Sequence, residues 1–150
     1  MFLLIDTTED KSQVALLEVN QVLRHRIFLA NFKHSEKLLL EICKILKNGK
    51  DKLSSLKAII VITGPGGFTG SRVGVATANA LAYSLGIFVV GINKNEIFGR
   101  NIEKKDIFSR RSVLKISLIA NERIRNGKFV KFTLPFYRDP PHITKPKPII

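Results

Sequence analysis

With 150 residues, 45% of them hydrophobic, the chain can bury one ordinary core and, at most, a small appendage to it. A net charge of +13 and a pI near 10.2 predict attraction to nucleic acid, acidic proteins or anionic membrane, without choosing among them. A single cysteine, Cys43, excludes an intrachain disulfide and a thiolate metal site, so a reducing cytosol is the expected compartment.

The apolar opening Met1-Phe2-Leu3-Leu4-Ile5 meets Asp6 at once, which reads as a buried strand rather than a signal peptide. Residues 12–19 and 22–30 are two more β-prone segments joined across Asn20-Gln21, and they predict a hairpin. Helix signals start at Ser35 as N-cap, although Leu38 stands where a capping box needs Glu or Gln. Leu38, Leu39, Ile42, Ile45 and Leu46 trace one helical face, with Cys43 near it as a small core hydrophobe. Leu40 falls among Glu41, Lys44 and Lys47 on the opposite face, either as harmless surface or as part of a partner-facing helix. Asn48-Gly49 closes the helix, and a polar connector leads to the β-branched strand 58–62.

The run Gly64-Pro65-Gly66-Gly67-Phe68-Thr69-Gly70-Ser71-Arg72 then turns the chain from strand to helix. Residues 71–85 form a helix whose one charge is Arg72 and whose small residues Gly74, Ala76, Ala78, Ala80 and Ala82 ring much of its circumference, so it is central or shared with a partner. Gly86 ends it, and residues 87–92 read as another buried strand. The stretch 73–92 is about as long as a membrane span, but Gly74, Thr77, Asn79, Ser84, Gly86 and Gly91 interrupt it, and no membrane crossing is expected. The order βββαβαβ predicts an α/β fold with mixed strand pairing.

Beyond Asn93 a short helical piece gives way to a basic linker. Residues 112–120 and 128–134 are β-prone and flank Asn126-Gly127, which predicts one hairpin. Five of the six prolines lie from Pro135 onward, so the tail is expected to dock as an extended arm or stay mobile. Three units result: residues 1–100, the linker and hairpin 101–134, and the tail 135–150. Charge is uneven between them, with 13 Lys and Arg against 8 Asp and Glu in residues 1–100 and 12 against 4 in 101–150.

Four motifs in order, Leu4-Ile5-Asp6-Thr7-Thr8, His34-Ser35-Glu36-Lys37-Leu38-Leu39, the glycine run extended through Val73-Gly74, and Pro135-Phe136-Tyr137-Arg138-Asp139-Pro140-Pro141, resemble the TsaB (YeaZ) family of bacterial tRNA threonylcarbamoyladenosine synthesis. The resemblance covers residues 1 to about 95 and the tail. It implies an actin-like (ASKHA, RNase H-like) lobe followed by a reduced C-terminal lobe. It also implies a scaffold without transfer chemistry of its own, which pairs with the catalytic paralogue TsaD and, with the ATPase TsaE, supports transfer of threonylcarbamoyl to N6 of the adenosine next to the anticodon. A homodimer through the same surface is the competing assembly. On this reading Leu40, Lys44, Gly70, Gly74, Thr77, Ala78 and Leu81 form the partner interface.

Three readings fit the glycine run: a structural corner, a partner interface where Gly66, Gly67, Thr69 and Arg72 share ATP or ADP with the partner, or a self-sufficient phosphate site. No Walker lysine follows the last glycine, and the first turn Asp6-Thr7-Thr8-Glu9-Asp10-Lys11 has no glycine, so Asp6 reads first as a turn former and second as a metal carboxylate. His25, His34 and His142 are too scattered for one helical metal pair, and no resident metal or cofactor is expected. His34 reads as an ordinary surface or capping residue. Lys104, Lys105, Arg110 and Arg111, joined by Arg123, Arg125, Lys128 and Lys131, are either a solvated face or a tRNA-facing one. The competing functions are a small nucleotide-dependent enzyme using residues 64–72 and a stand-alone RNA-binding module.

Overall fold

A computed structural model describes residues 1–47, 53–99 and 106–137. β1 (Phe2–Asp6), β2 (Lys11–Glu18) and β3 (Gln21–Leu29) form an antiparallel meander, with Leu4 opposite Ala15 and Ala15 opposite His25. β4 (Ala58–Gly64) joins β1 in parallel and β5 (Phe88–Asn93) joins β4 in parallel, giving the order β3-β2-β1-β4-β5.

β1 and β4 are buried on both faces, as their continuous aliphatic runs require. Leu3, Ile5, Ile59 and Val61 pack under α1 (His34–Lys47) and α2 (Phe68–Leu85). Leu4, Ala58, Ile60 and Ile62 point the other way, toward α4 (Arg110–Arg125), with α3 (Lys94–Phe98) at the end of β5. The sheet is thus the middle layer of three.

The C-terminal hairpin predicted over 112–120 and 128–134 does not form. Residues 110–125 are helical: Ser109 Oγ accepts from the Ser112 N–H at 3.2 Å, and Val113, Ile116, Ser117 and Ala120 supply the buried face. The segment carries both periods, since Leu114, Ile116, Leu118 and Ala120 also alternate. The exposed face of the sheet decides between them, because each aliphatic side chain buried on it is worth about 1.5–3 kcal/mol and a helix covers Leu4, Ile60 and Ile62 where an edge hairpin could not. Asn126-Gly127 ends the helix instead of turning a hairpin, with Gly127 at φ 67° and the Lys128 N–H donating back to Arg123 O at 2.7 Å. The second predicted strand is reduced to one antiparallel bridge, Val130 with Val89.

Residues 128–137 continue as an extended strap. Asn79 exchanges two hydrogen bonds of 2.9 Å with the Thr133 backbone, and the Phe136 N–H donates to Thr63 O at 2.8 Å. The predicted docking arm is therefore present as far as Tyr137, while its remainder, 138–150, and the predicted Asn48-Gly49 helix stop lie outside the described residues. Among the described residues no helix is long and apolar enough to cross a membrane.

Smaller corrections concern α1. It starts at His34, so Ser35 lies in its first turn and is not the cap. Leu39 is 51% exposed and Cys43 is exposed, so neither joins the core; Glu41 turns inward instead, held by Arg26 and Lys44 at 2.6 Å each. Burial alone would raise the Glu41 carboxyl, but these two cations overcome it and hold it below its ordinary value.

Candidate functional site

The carboxyl ends of parallel β1, β4 and β5 bring together the Asp6-Thr7-Thr8 turn, the glycine run and Lys94, the position where open α/β sheets bind ligands. Asp6 is consumed by its own turn. Its Oδ1 accepts from the Thr8 N–H at 3.1 Å and the Thr8 hydroxyl at 2.7 Å, and its Oδ2 accepts from Gln13 Nε2 at 3.2 Å. Gln13 Nε2 also donates to Ile107 O, which leaves its Oε1 facing His25 at 2.7 Å and places the His25 proton on Nε2. Partial burial, then the charge of Arg110, push the His25 pKa below 6.5, against a smaller pull from Asp106.

The glycine run is stitched to that first turn. The Gly67 N–H donates to Thr8 O at 2.6 Å, and the Thr7 hydroxyl donates to Gly70 O at 2.7 Å. A Cβ on Gly70 would stand 2.1 Å from Thr7 O, so no side chain fits there without moving the backbone. The structural-corner reading therefore has a specific cause: two backbone turns lie in van der Waals contact.

Arg72 is held in an aromatic stack. Its guanidinium lies 3.7 Å from the Phe68 ring centroid and 5.8 Å from that of Tyr137, whose hydroxyl accepts from Arg72 Nε at 2.8 Å. Beside this stack opens a cleft of about 380 Å³ lined by Thr8, Glu9, Asp10, Phe32, His34, Gly67, Phe68, Thr69 and Gly70. Two carboxylates and no lysine or arginine line it, which disfavours a self-sufficient phosphate site. Glu9 of this lining pairs its Oε1 with the ammonium of Lys94, which is 2% exposed, at 2.5 Å. His34 Nε2 lies 3.2 Å from Glu9 O. Among the described residues no three His, Cys, Asp or Glu side chains are placed to hold a metal.

The predicted interface residues divide. Leu40 is 59% exposed, Lys44 is exposed beside Glu41, and Thr77 and Leu81 are half-buried. Gly70, Gly74 and Ala78 are buried within the chain, against the Thr7 turn and the sheet. The outer side of α2 carries exposed Ala76 and Ala80 instead, and α1, packed beside it, exposes Leu39 and Leu40. Of the basic candidates, Arg110 donates to Val22 O at 3.1 Å, Arg111 points to solvent, and Lys104 and Lys105 lie outside the described residues. Sequence reading missed Lys94 and the Phe68–Arg72–Tyr137 stack, since nothing local marks a lysine after a strand as buried or joins residues 65 positions apart.

A family profile described as "TsaD: tRNA N6-adenosine threonylcarbamoyltransferase" matches residues 28–107. The chain is 31% identical over 99 residues to the tRNA threonylcarbamoyladenosine biosynthesis protein TsaB of Bacillus subtilis, covering 66% of this chain and 43% of that protein. It is 32% identical over 105 residues to the TsaB of Buchnera aphidicola subsp. Schizaphis graminum, covering 70% and 50%. The structure of YeaZ from Pseudomonas aeruginosa superposes with a TM-score of 0.57 at 29% identity, covering 61% of this chain and 43% of that one. The chain thus spans about half the length of the curated relatives it matches. The meander, the parallel pair and the glycine corner together make the actin-like lobe that these proteins share, and the chain belongs to the TsaB/YeaZ group of the TsaD family.

Proposed function

We propose that the chain is a non-catalytic scaffold of tRNA threonylcarbamoyladenosine synthesis, which docks a TsaD-like catalytic subunit on the outer faces of α1 and α2 and, with a TsaE-like ATPase, supports threonylcarbamoyl transfer to N6 of the adenosine beside the anticodon. The observation that carries this reading is the outer surface of the two helices, which pack beside each other on one face of the sheet: α1 exposes Leu39 and Leu40, and α2 exposes Ala76 and Ala80, small enough for a partner helix to approach closely. The strand-end crevice supports it too, because Asp6 is engaged by its own turn and the described residues there assemble no set of transfer groups. ATP or ADP shared at the junction would find Phe68 and Phe32 as stacking faces and would take its phosphate contacts from the partner's cations.

Co-purification with a TsaD-like subunit tests the reading. Leu40→Asp and Ala80→Arg are expected to abolish association while leaving the melting temperature unchanged, since both positions are exposed. Failure of the parent chain to associate, or undiminished association of both variants, overturns it. ATP turnover by the isolated chain would replace it with the enzyme reading.

A further inference from the structure

The outer stripe of α4 has no part in the sheet. Arg111, Lys115, Leu118, Glu122 and Arg125 follow one another at helical spacing and are all exposed, with exposed Lys128 just beyond the helix end. Arg111 and Arg125 lie about 21 Å apart along the axis. Lys115 Nζ donates to Ile97 O at 2.5 Å but keeps its charge, and among the described residues no ion pair engages Arg111, Arg125 or Lys128. Against these cations stands one carboxylate, Glu122.

Between this stripe and the β2–β3 turn opens a cleft of about 700 Å³ lined by Val19, Asn20, Leu118, Asn121, Glu122, Arg125 and Asn126. Three carboxamides, each a donor and an acceptor, share it with one guanidinium and one carboxylate. Such groups match the hydrogen-bonding edges of unpaired bases: amides pair with adenine, arginine with guanine and carboxylate with the cytosine amino group. An acidic protein would be drawn by the same cations, but Glu122 in the cleft would repel its carboxylates, whereas the amino group of a base can pair with that carboxylate.

We propose that this face binds RNA, with Arg111, Lys115, Arg125 and Lys128 on phosphates and the Asn20–Asn121–Asn126 cleft receiving the edge of an unpaired base. It deepens the scaffold reading by giving the chain an RNA contact of its own, on the opposite side of the sheet from the α1–α2 face. It is tested without the catalytic subunit, so either inference can fail while the other stands.

The full chain is titrated with a stem–loop RNA, with the same stem as a closed duplex, and with polyglutamate. Four phosphate contacts predict a slope of log K against log salt near −2.8, so affinity for the stem–loop should fall about 50-fold between 50 and 200 mM salt. Arg111→Gln and Arg125→Gln should each reduce the slope by about 0.7, and Arg111→Lys should restore it, which separates lost charge from lost fold. Asn121→Ala should weaken stem–loop binding about five-fold and leave duplex binding unchanged. The inference is overturned by absence of RNA binding at 50 mM salt, by an unchanged slope in both Gln variants, or by polyglutamate binding as tightly as the stem–loop. Equal binding of loop and duplex, with Asn121→Ala silent, would remove the base-reading cleft.

Discussion

Replacing Gly74 with alanine separates a packing role for α2's glycines from a partner role. In an exposed helix interior the change would stabilise by about 1 kcal/mol. Here the new Cβ would stand 2.3 Å from Thr7 Oγ1, a buried hydroxyl that donates to Gly70 O at 2.7 Å. Overpacking costs about 1–3 kcal/mol, and displacing the buried Thr7 hydroxyl from its acceptor costs about 1–3 kcal/mol more. Repulsion outweighs propensity, leaving a net loss of about 1–5 kcal/mol, or about 3–16 °C in melting temperature for a chain of this size. The double variant Thr7→Ala, Gly74→Ala removes the obstacle: the next neighbours of the Cβ are Thr7 Cβ at 3.6 Å and Ile5 Cγ2 at 3.7 Å, ordinary contacts. Adding Gly74→Ala to Thr7→Ala should therefore be neutral or stabilising by up to about 1 kcal/mol. Chemical denaturation of the four proteins of the cycle reads the coupling. Additive effects, or a stabilising Gly74→Ala single variant, would refute the packing argument and return Gly74 to the surface.

The helical assignment of 110–125 predicts that Ile116→Ala costs about 2–5 kcal/mol, whereas Leu118→Ala, 47% exposed, stays within about 0.5 kcal/mol; a hairpin would put both side chains on one face and make the two costs similar. His25, with its folded pKa lowered, binds its proton more readily in the unfolded chain, so its contribution to stability is complete above pH 6.5 and is lost as pH falls below that value. Denaturation midpoints at pH 7.5 and 5.5 should show the decline, and His25→Gln, able to keep a donor toward Gln13, should flatten it; an unchanged slope counts against the buried His25–Gln13–Asp6 chain. Asn79→Ala removes both bonds to Thr133 and should release the strap, read as faster amide exchange at Val130 and Phe136 with a global loss of about 1–3 kcal/mol; protection unchanged at Phe136 would mean that the strap is held without Asn79, by its bonds to Val89 and Thr63 and the Arg72–Tyr137 contact.

The first seven elements were legible because each carries a period or a punctuation mark that tertiary contacts do not override. Continuous burial of β1 and β4 follows from unbroken aliphatic runs, and Asn20 and Gly86 both adopt positive φ where turns were expected. Residues 112–120 failed for the opposite reason. Their apolar positions satisfy a strand and a helix at once, and only the uncovered sheet face, a nonlocal fact, selects the helix. Leu39 and Cys43 went astray because a face drawn with neighbouring leucines is wider than the stripe α1 buries, and Glu41, paired with Arg26 across the sheet edge, takes the inward place.

The glycine run shows how one residue pattern serves opposite ends. Glycines that admit a phosphate and glycines that admit a second backbone turn have the same local signature, since both need space where a Cβ would stand. What distinguishes them is the occupant of that space. Here it is Thr7 and Thr8, whose carbonyls fill the approach to Gly70 and Gly66 at 2.1 and 2.2 Å from where their Cβ atoms would be. A carbonyl oxygen repels phosphate, Glu9 and Asp10 add carboxylates at the cleft mouth, and the Arg72 Nε is engaged by Tyr137. On the proposed reading a nucleotide at this corner therefore takes its countercharge from a cation-bearing partner on the α1–α2 side, because the carboxylates of the cleft oppose an anion held by this lobe alone.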